Sequence, residues 1–146
     1  MSMFRRPLLT ITFALTLSGL GLTSCSKNDP EPHTTVTPQQ QQLTTGSWRL
    51  DQIKEAGQVT SSGAGIKDQY SLTFRADGTY TQKLLADNTT YNGTWMLMSN
   101  NTMLHLTDHK GDSNQYTLAS LTATELRYTF TNKTGQAEER TFSAQP

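Results

Sequence analysis

From Gly46 to the C-terminus, hydrophobic and polar residues alternate with period two, the mark of strands that bury one face and wet the other. Tyr70, Leu72 and Phe74 share one parity, with Ser71, Thr73 and Arg75 on the other. Tyr91, Gly93, Trp95 and Leu97 repeat the pattern against Asn92, Thr94 and Met96, and Leu126, Tyr128 and Phe130 repeat it against Arg127, Thr129 and Thr131. Five further segments carry it more faintly: residues 48–54, 79–85, 103–107, 115–121 and 138–143. The chain thus predicts eight short strands. Ala76-Asp77-Gly78, Ser99-Asn100-Asn101, Lys110-Gly111-Asp112 and residues 132–135 supply turn chemistry between them. Residues 56–69 are the one long connection, carrying Gly57, Gly63 and Gly65, and are predicted as a loop, flap or single helical turn over one barrel mouth.

Sequential antiparallel strands leave two free edges unless the sheet closes on itself. The predicted fold is therefore all-β: a small eight-stranded antiparallel up-and-down barrel. Its interior draws Trp48 and Leu50 from the first strand, Tyr70, Leu72 and Phe74 from the second, and Tyr80 from the third. Tyr91 and Trp95 follow from the fourth, Leu104 and Leu106 from the fifth, Tyr116 and Leu118 from the sixth, and Tyr128 and Phe130 from the seventh. These side chains form either a packed core or the lining of a ligand hollow. A barrel of this strand number is just wide enough to be filled by its own side chains, so a hollow is expected only near the mouth, under residues 56–69.

The N-terminal stretch is of another kind. Arg5 and Arg6 precede an uncharged, Leu-rich run from Pro7 to Leu22, the layout of a secretory signal peptide. The run is shorter than the roughly 20 residues a helix needs to cross a hydrocarbon core, and Gly19 and Gly21 weaken its end. It closes on Leu22-Thr23-Ser24-Cys25, which resembles the lipobox of bacterial lipoproteins. Cys25 is the only cysteine, so it has no intramolecular disulfide partner, and lipidation accounts for a lone thiol in an exported chain. The alternative is an ordinary secreted protein with a free cysteine near its cleavage site. The resemblance implies a diacylglyceryl thioether and an amide-linked acyl chain on Cys25, which together anchor durably to a membrane. Asp is absent directly after Cys25, which in lipoproteins of this kind points to the outer membrane, facing the periplasm or the cell surface. Three prolines, Thr-rich text and Gln39-Gln40-Gln41-Gln42 make residues 28–42 a polar spacer with too little apolar surface to order itself. The expected organisation is a signal peptide over 1–24, a lipidated N-terminus and disordered linker over 25–42, and a barrel domain over 43–146.

Within the barrel segment, residues 43–50 (Leu-Thr-Thr-Gly-Ser-Trp-Arg-Leu), Leu72-Thr73-Phe74 with Asp77-Gly78-Thr79-Tyr80, Gly93-Thr94-Trp95, and Tyr116-Thr117-Leu118 resemble the bacterial lipocalin-like, calycin-type lipoproteins. The likeness runs from about Leu43 to Phe142 and rests most specifically on Gly46-Ser47-Trp48. It implies a ligand-binding barrel, closed at one end by Trp48, with Arg140 of the last strand packed across that indole.

The chain carries 12 Lys and Arg against 12 Asp and Glu, and loss of Arg5 and Arg6 leaves the remainder slightly acidic, with no basic cluster of the kind a nucleic-acid partner needs. His105, Asp108, His109, Lys110 and Asp112 form the densest polar group, but His105 has the outward parity and the rest read as a hairpin turn, so no metal site is assigned. No Gly-x-Ser-x-Gly elbow, inward carboxylate pair or phosphate loop is present, so neither catalytic residues nor a cofactor are expected. Two functions lead: a lipid-anchored envelope protein binding a small hydrophobic ligand, or an interaction or inhibitor module of the envelope with a filled barrel; a purely structural envelope role stands third.

Overall fold

The computed structural model describes residues 36–146. The expected signal peptide, Cys25 and the first part of the spacer lie outside the described residues. The chain forms α1 (Pro38–Leu43), β1 (Ser47–Glu55), β2 (Gln58–Ser62), a 3-10 turn (Gly63–Gly65), β3 (Tyr70–Phe74), β4 (Thr79–Leu84), β5 (Thr90–Met98), β6 (Met103–Thr107), β7 (Ser113–Leu121), β8 (Glu125–Thr131) and β9 (Ala137–Gln145). Each strand pairs antiparallel with its neighbour from β3 to β9, and β1 joins both β3 and β9. Eight strands thereby close into an up-and-down barrel whose wall has no free edge, as the alternation predicts.

Two elements depart from the expectation. Where residues 56–69 read as loop or helical turn, the structure has both a 3-10 turn and an additional strand, β2, paired with the outer half of β1. Ala56 and Gly57 have φ of +47° and +82°, the left-handed pair that a tight two-residue hairpin requires. β2 escaped notice because most of its residues are exposed, so neither face has an apolar parity to betray it. The second departure is α1, which orders residues 38–42 at the end of the segment read as a disordered linker. Thr37 accepts from the Gln40 backbone N–H at 3.2 Å, and the Gln40 side chain accepts from the Thr37 N–H at 2.9 Å. Pro38 takes the first helical position, where its missing N–H costs nothing. Leu43 is fully buried at the end of this turn, and its carbonyl accepts the Trp48 indole N–H at 2.9 Å. The helix is held by that tertiary contact as well as by its cap, and composition alone is blind to both.

Two bulges set which side chains face inward. Between Leu50 and Gln52 the register of β1 against β9 slips by one, so Trp48 and Leu50 point inward before the bulge and Ile53 after it. A similar slip between Leu118 and Ser120 brings Leu121 back against the core. The turns match their sequence signals. Asp77 accepts from the Thr79 N–H at 2.9 Å, and Asn132 from the N–H groups of Thr134 and Gln136 at 3.1 and 3.0 Å, side chains standing in for main-chain turn partners.

One end of the barrel carries α1, the start of β1 and the end of β9, and is plugged by Leu43 and Trp48. Above them Leu50, Leu72, Phe74, Leu104, Leu126 and Phe142 are all buried to within 2%. Phe74 meets Trp95 edge to face at 5.5 Å, and the Trp95 indole N–H donates to the Arg75 carbonyl at 2.9 Å, docking the β3–β4 turn onto β5. The lower barrel is thus a packed core. Leu43 and Phe142 belong to it although the sequence had not marked them as interior, Leu126 joins it from the apolar face of β8, and Ile66 is buried from residues 56–69.

Candidate functional site: the tyrosine-lined barrel mouth

The opposite end, ringed by residues 56–69, 85–89, 108–112 and 132–136, is chemically different. On β9 the inward parity runs Glu138, Arg140, Phe142, placing an ion pair inside the wall above the apolar core. The Arg140 Nε donates to Glu138 at 2.7 Å, and its Nη1 donates to the Tyr70 hydroxyl at 2.8 Å. The Tyr70 proton is then free to be shared with the Tyr128 hydroxyl, 3.4 Å away. The guanidinium also lies 5.2 Å from the Phe130 ring centre and 6.0 Å from that of Tyr70, within reach of cation–π attraction. Glu138 retains 8% of its side-chain exposure and Arg140 27%, so the carboxylate is sealed in while the arginine side chain keeps partial access to solvent.

Burial disfavours the charge on Arg140, but Tyr70, Tyr128 and the bond to Glu138 outweigh it and hold the guanidinium protonated more firmly than a free arginine. Burial also pushes the Tyr116 hydroxyl up to about 12, raises Tyr128 well above the usual tyrosine value, and raises Tyr80. Tyr116 and Tyr128 therefore stand beside the ion pair as neutral hydroxyls, each able to donate or accept.

At this end, under the β6–β7 turn, lies a hollow of about 400 Å³ lined by Tyr80, Gln82, Tyr91, Asp108, His109 and Lys110. His109 stacks on Tyr91 with ring centres 4.6 Å apart, folding the β6–β7 turn over the barrel rim. Asp108 is occupied by that turn, accepting from the N–H groups of Lys110 and Asp112 at 2.8 and 3.0 Å. His105 lies half-buried on the outward parity of β6, between the buried Leu104 and Leu106. Among the described residues, no three His, Cys, Asp or Glu side chains are grouped to hold a metal ion. A larger hollow of about 520 Å³ lies at the plugged end, between α1 and the end of β9, but no charged side chain lines it. The mouth, where polar groups converge on a partly shielded cation, is the better candidate site.

Of the fourteen positions assigned to the interior, Trp48, Leu50, Tyr70, Leu72, Phe74, Tyr80, Trp95, Leu104, Leu106 and Tyr128 are buried. Tyr91, Tyr116, Leu118 and Phe130 are half-buried, with Tyr116 and Phe130 edge to face at 5.1 Å near the mouth. The expected pairing of Trp48 with Arg140 is not formed. Across β1 and β9, Trp48 lies opposite Ala144 and Arg140 opposite Ile53. Four residues of β9 and five of the bulged β1, roughly 15 Å at about 3.3 Å per residue, separate them. Trp48 spends its N–H on Leu43, and Arg140 spends its charge on Glu138. The site residue that sequence reasoning missed is Glu138. Its signal was the shared parity of Glu138, Arg140 and Phe142, obscured because charged residues on an inward face do not read as core.

A closed antiparallel barrel with a plugged floor and a polar mouth defines a small all-β barrel domain of the up-and-down type. The chain belongs to the family of lipocalin-like domains, whose model matches residues 44–128. Among solved structures it is similar to a redesigned β-barrel, at 19% identity and a TM-score of 0.39, over 71% of this chain and 93% of that one. No curated protein matches it.

Proposed function

We propose that this protein is a lipid-anchored lipoprotein of the bacterial outer membrane, tethered through Cys25, whose lipocalin-like barrel binds a small hydrophobic or amphipathic molecule at its mouth without transforming it. The observation that carries the binding reading is the placement of Arg140, Tyr70, Tyr116 and Tyr128 inside the upper barrel. Burying a charge and several hydroxyls there is costly for a domain that needs only a packed core. The lower barrel is filled, so a ligand enters only as far as the tyrosine layer. Anchoring rests on the run ending at Cys25 and on the absence of any other cysteine.

Two measurements test this reading. Fatty-acid labelling of the expressed protein is expected to disappear in Cys25→Ser. The full chain carrying Cys25→Ser, purified without detergent, is expected to enhance the fluorescence of an uncharged environment-sensitive probe such as N-phenyl-1-naphthylamine and to lose that enhancement in Arg140→Met. A second reading, an envelope protein-interaction module, is favoured by the packed lower barrel. Absence of probe binding together with a crosslinked envelope partner would establish that reading instead.

A further inference from the structure

The mouth's charge is already balanced from within, and this bears on what it receives. Resting on the ligand-binding reading above, we infer that the ligand presents an uncharged hydrogen-bond-acceptor head, such as an ester or amide carbonyl, to Arg140, rather than a carboxylate or phosphate. Glu138 is sealed into the wall at 2.7 Å from the Arg140 Nε. Of the five N–H groups on the guanidinium, one goes to Glu138 and one to Tyr70, leaving three without a hydrogen-bond partner among the described residues. A carbonyl oxygen accepts from these at little desolvation cost. An anion in the same place meets Arg140 in first contact but feels the Glu138 carboxylate on the far side of the same group. That repulsion cancels a large part of the attraction, and the remainder has to offset the removal of a full charge from water. The surrounding tyrosine hydroxyls are neutral, and they add no positive charge to favour an anion over a carbonyl.

The arrangement also makes Glu138 a specificity switch. Removing its charge while keeping its shape leaves Arg140 as an uncompensated cation, and a carboxylate head then becomes the better occupant. The contrast is read with two probes that share one chain, octanamide and octanoate, titrated by calorimetry at neutral pH into the detergent-free full chain carrying Cys25→Ser. Octanamide is expected to bind at least about tenfold more tightly than octanoate, from the like-charge repulsion described above. In the further Glu138→Gln variant, the preference is expected to fall or reverse by a similar factor, while Arg140→Met weakens both probes. Octanoate binding to the unaltered mouth as tightly as octanamide, or more so, overturns the inference and leaves ligand binding standing. No heat from either probe, with Glu138 or with Gln in its place, overturns the ligand-binding reading and this inference with it. The comparison at the unaltered mouth decides the matter even where Glu138→Gln fails to fold.

Discussion

The guanidinium of Arg140, on the last strand, donates at 2.8 Å to the hydroxyl of Tyr70, on β3, so a bond inside the barrel joins strands on either side of the β1–β9 closure. Tyr70→Phe keeps the ring and removes this acceptor. It is expected to cost about 1.5 kcal/mol, the scale of a hydrogen bond to a charged group. Arg140→Leu leaves the Glu138 carboxylate sealed in the wall without a partner and is expected to cost more, roughly 3 kcal/mol. Urea denaturation of the two variants checks the order as well as the sizes.

Arg140 and Trp48 act at opposite ends of the barrel, so their effects are expected to be independent. A double-mutant cycle with Arg140→Leu and Trp48→Phe should be additive within about 0.5 kcal/mol. A coupling well above that would restore the stacked pair.

The plug at the floor makes a separate prediction. Leu43 is fully buried although it lies just beyond the spacer, and Leu43→Ala is expected to lose about 3 kcal/mol, as for any large-to-small change in a packed core. Thr37→Ala removes one member of the capping box and should cost about 1 kcal/mol. Thermal melts of the two variants are the measurement.

Gly93 is a glycine because of what faces it. A Cβ there would run into the Thr107 carbonyl oxygen of the neighbouring strand and the Tyr80 ring, and the backbone oxygen has no room to retreat. Gly93→Ala is expected to destabilise by roughly 2 kcal/mol or more and to disturb the mouth through Tyr80. Near-ultraviolet circular dichroism reports the second effect directly.

Alkaline pH should unfold the domain from within. Burial raises Tyr116 to about 12, and raises Tyr128 and Tyr80 above the ordinary value near 10. The unfolded chain therefore gives up these protons first as pH rises. Their contribution is fully present below about pH 10 and falls from there upward, by as much as about 1.4 kcal/mol per pH unit for each buried tyrosine. Absorbance at 295 nm is expected to show tyrosines that ionise only together with loss of structure.

The period-two alternation carried the barrel: all eight of its strands and their order follow from parity, and four of the turns between them from Asp, Asn and Gly at the junctions. This worked because each wall strand has one wet face and one dry face, and a pattern of that kind survives in the chain itself. α1 and β2 were not legible for the opposite reason. The Gln-rich helix buries only Leu43, and β2 buries almost nothing, so neither prints a periodicity. The candidate site was half legible. Tyr70, Tyr116, Tyr128 and Phe130 lay on predicted inward faces, and Arg140 was singled out, but for the wrong neighbour.

What the amino-acid order settled by itself is a closed antiparallel barrel with aromatic residues inside and an N-terminal stretch of another character before it. What only the tertiary structure decided is where the charges go. The bulge near Asp51 and the β1–β9 register carry Arg140 away from Trp48 and set it beside Glu138 under Tyr70. Such choices depend on register between strands some ninety residues apart in the chain, and no local pattern encodes that.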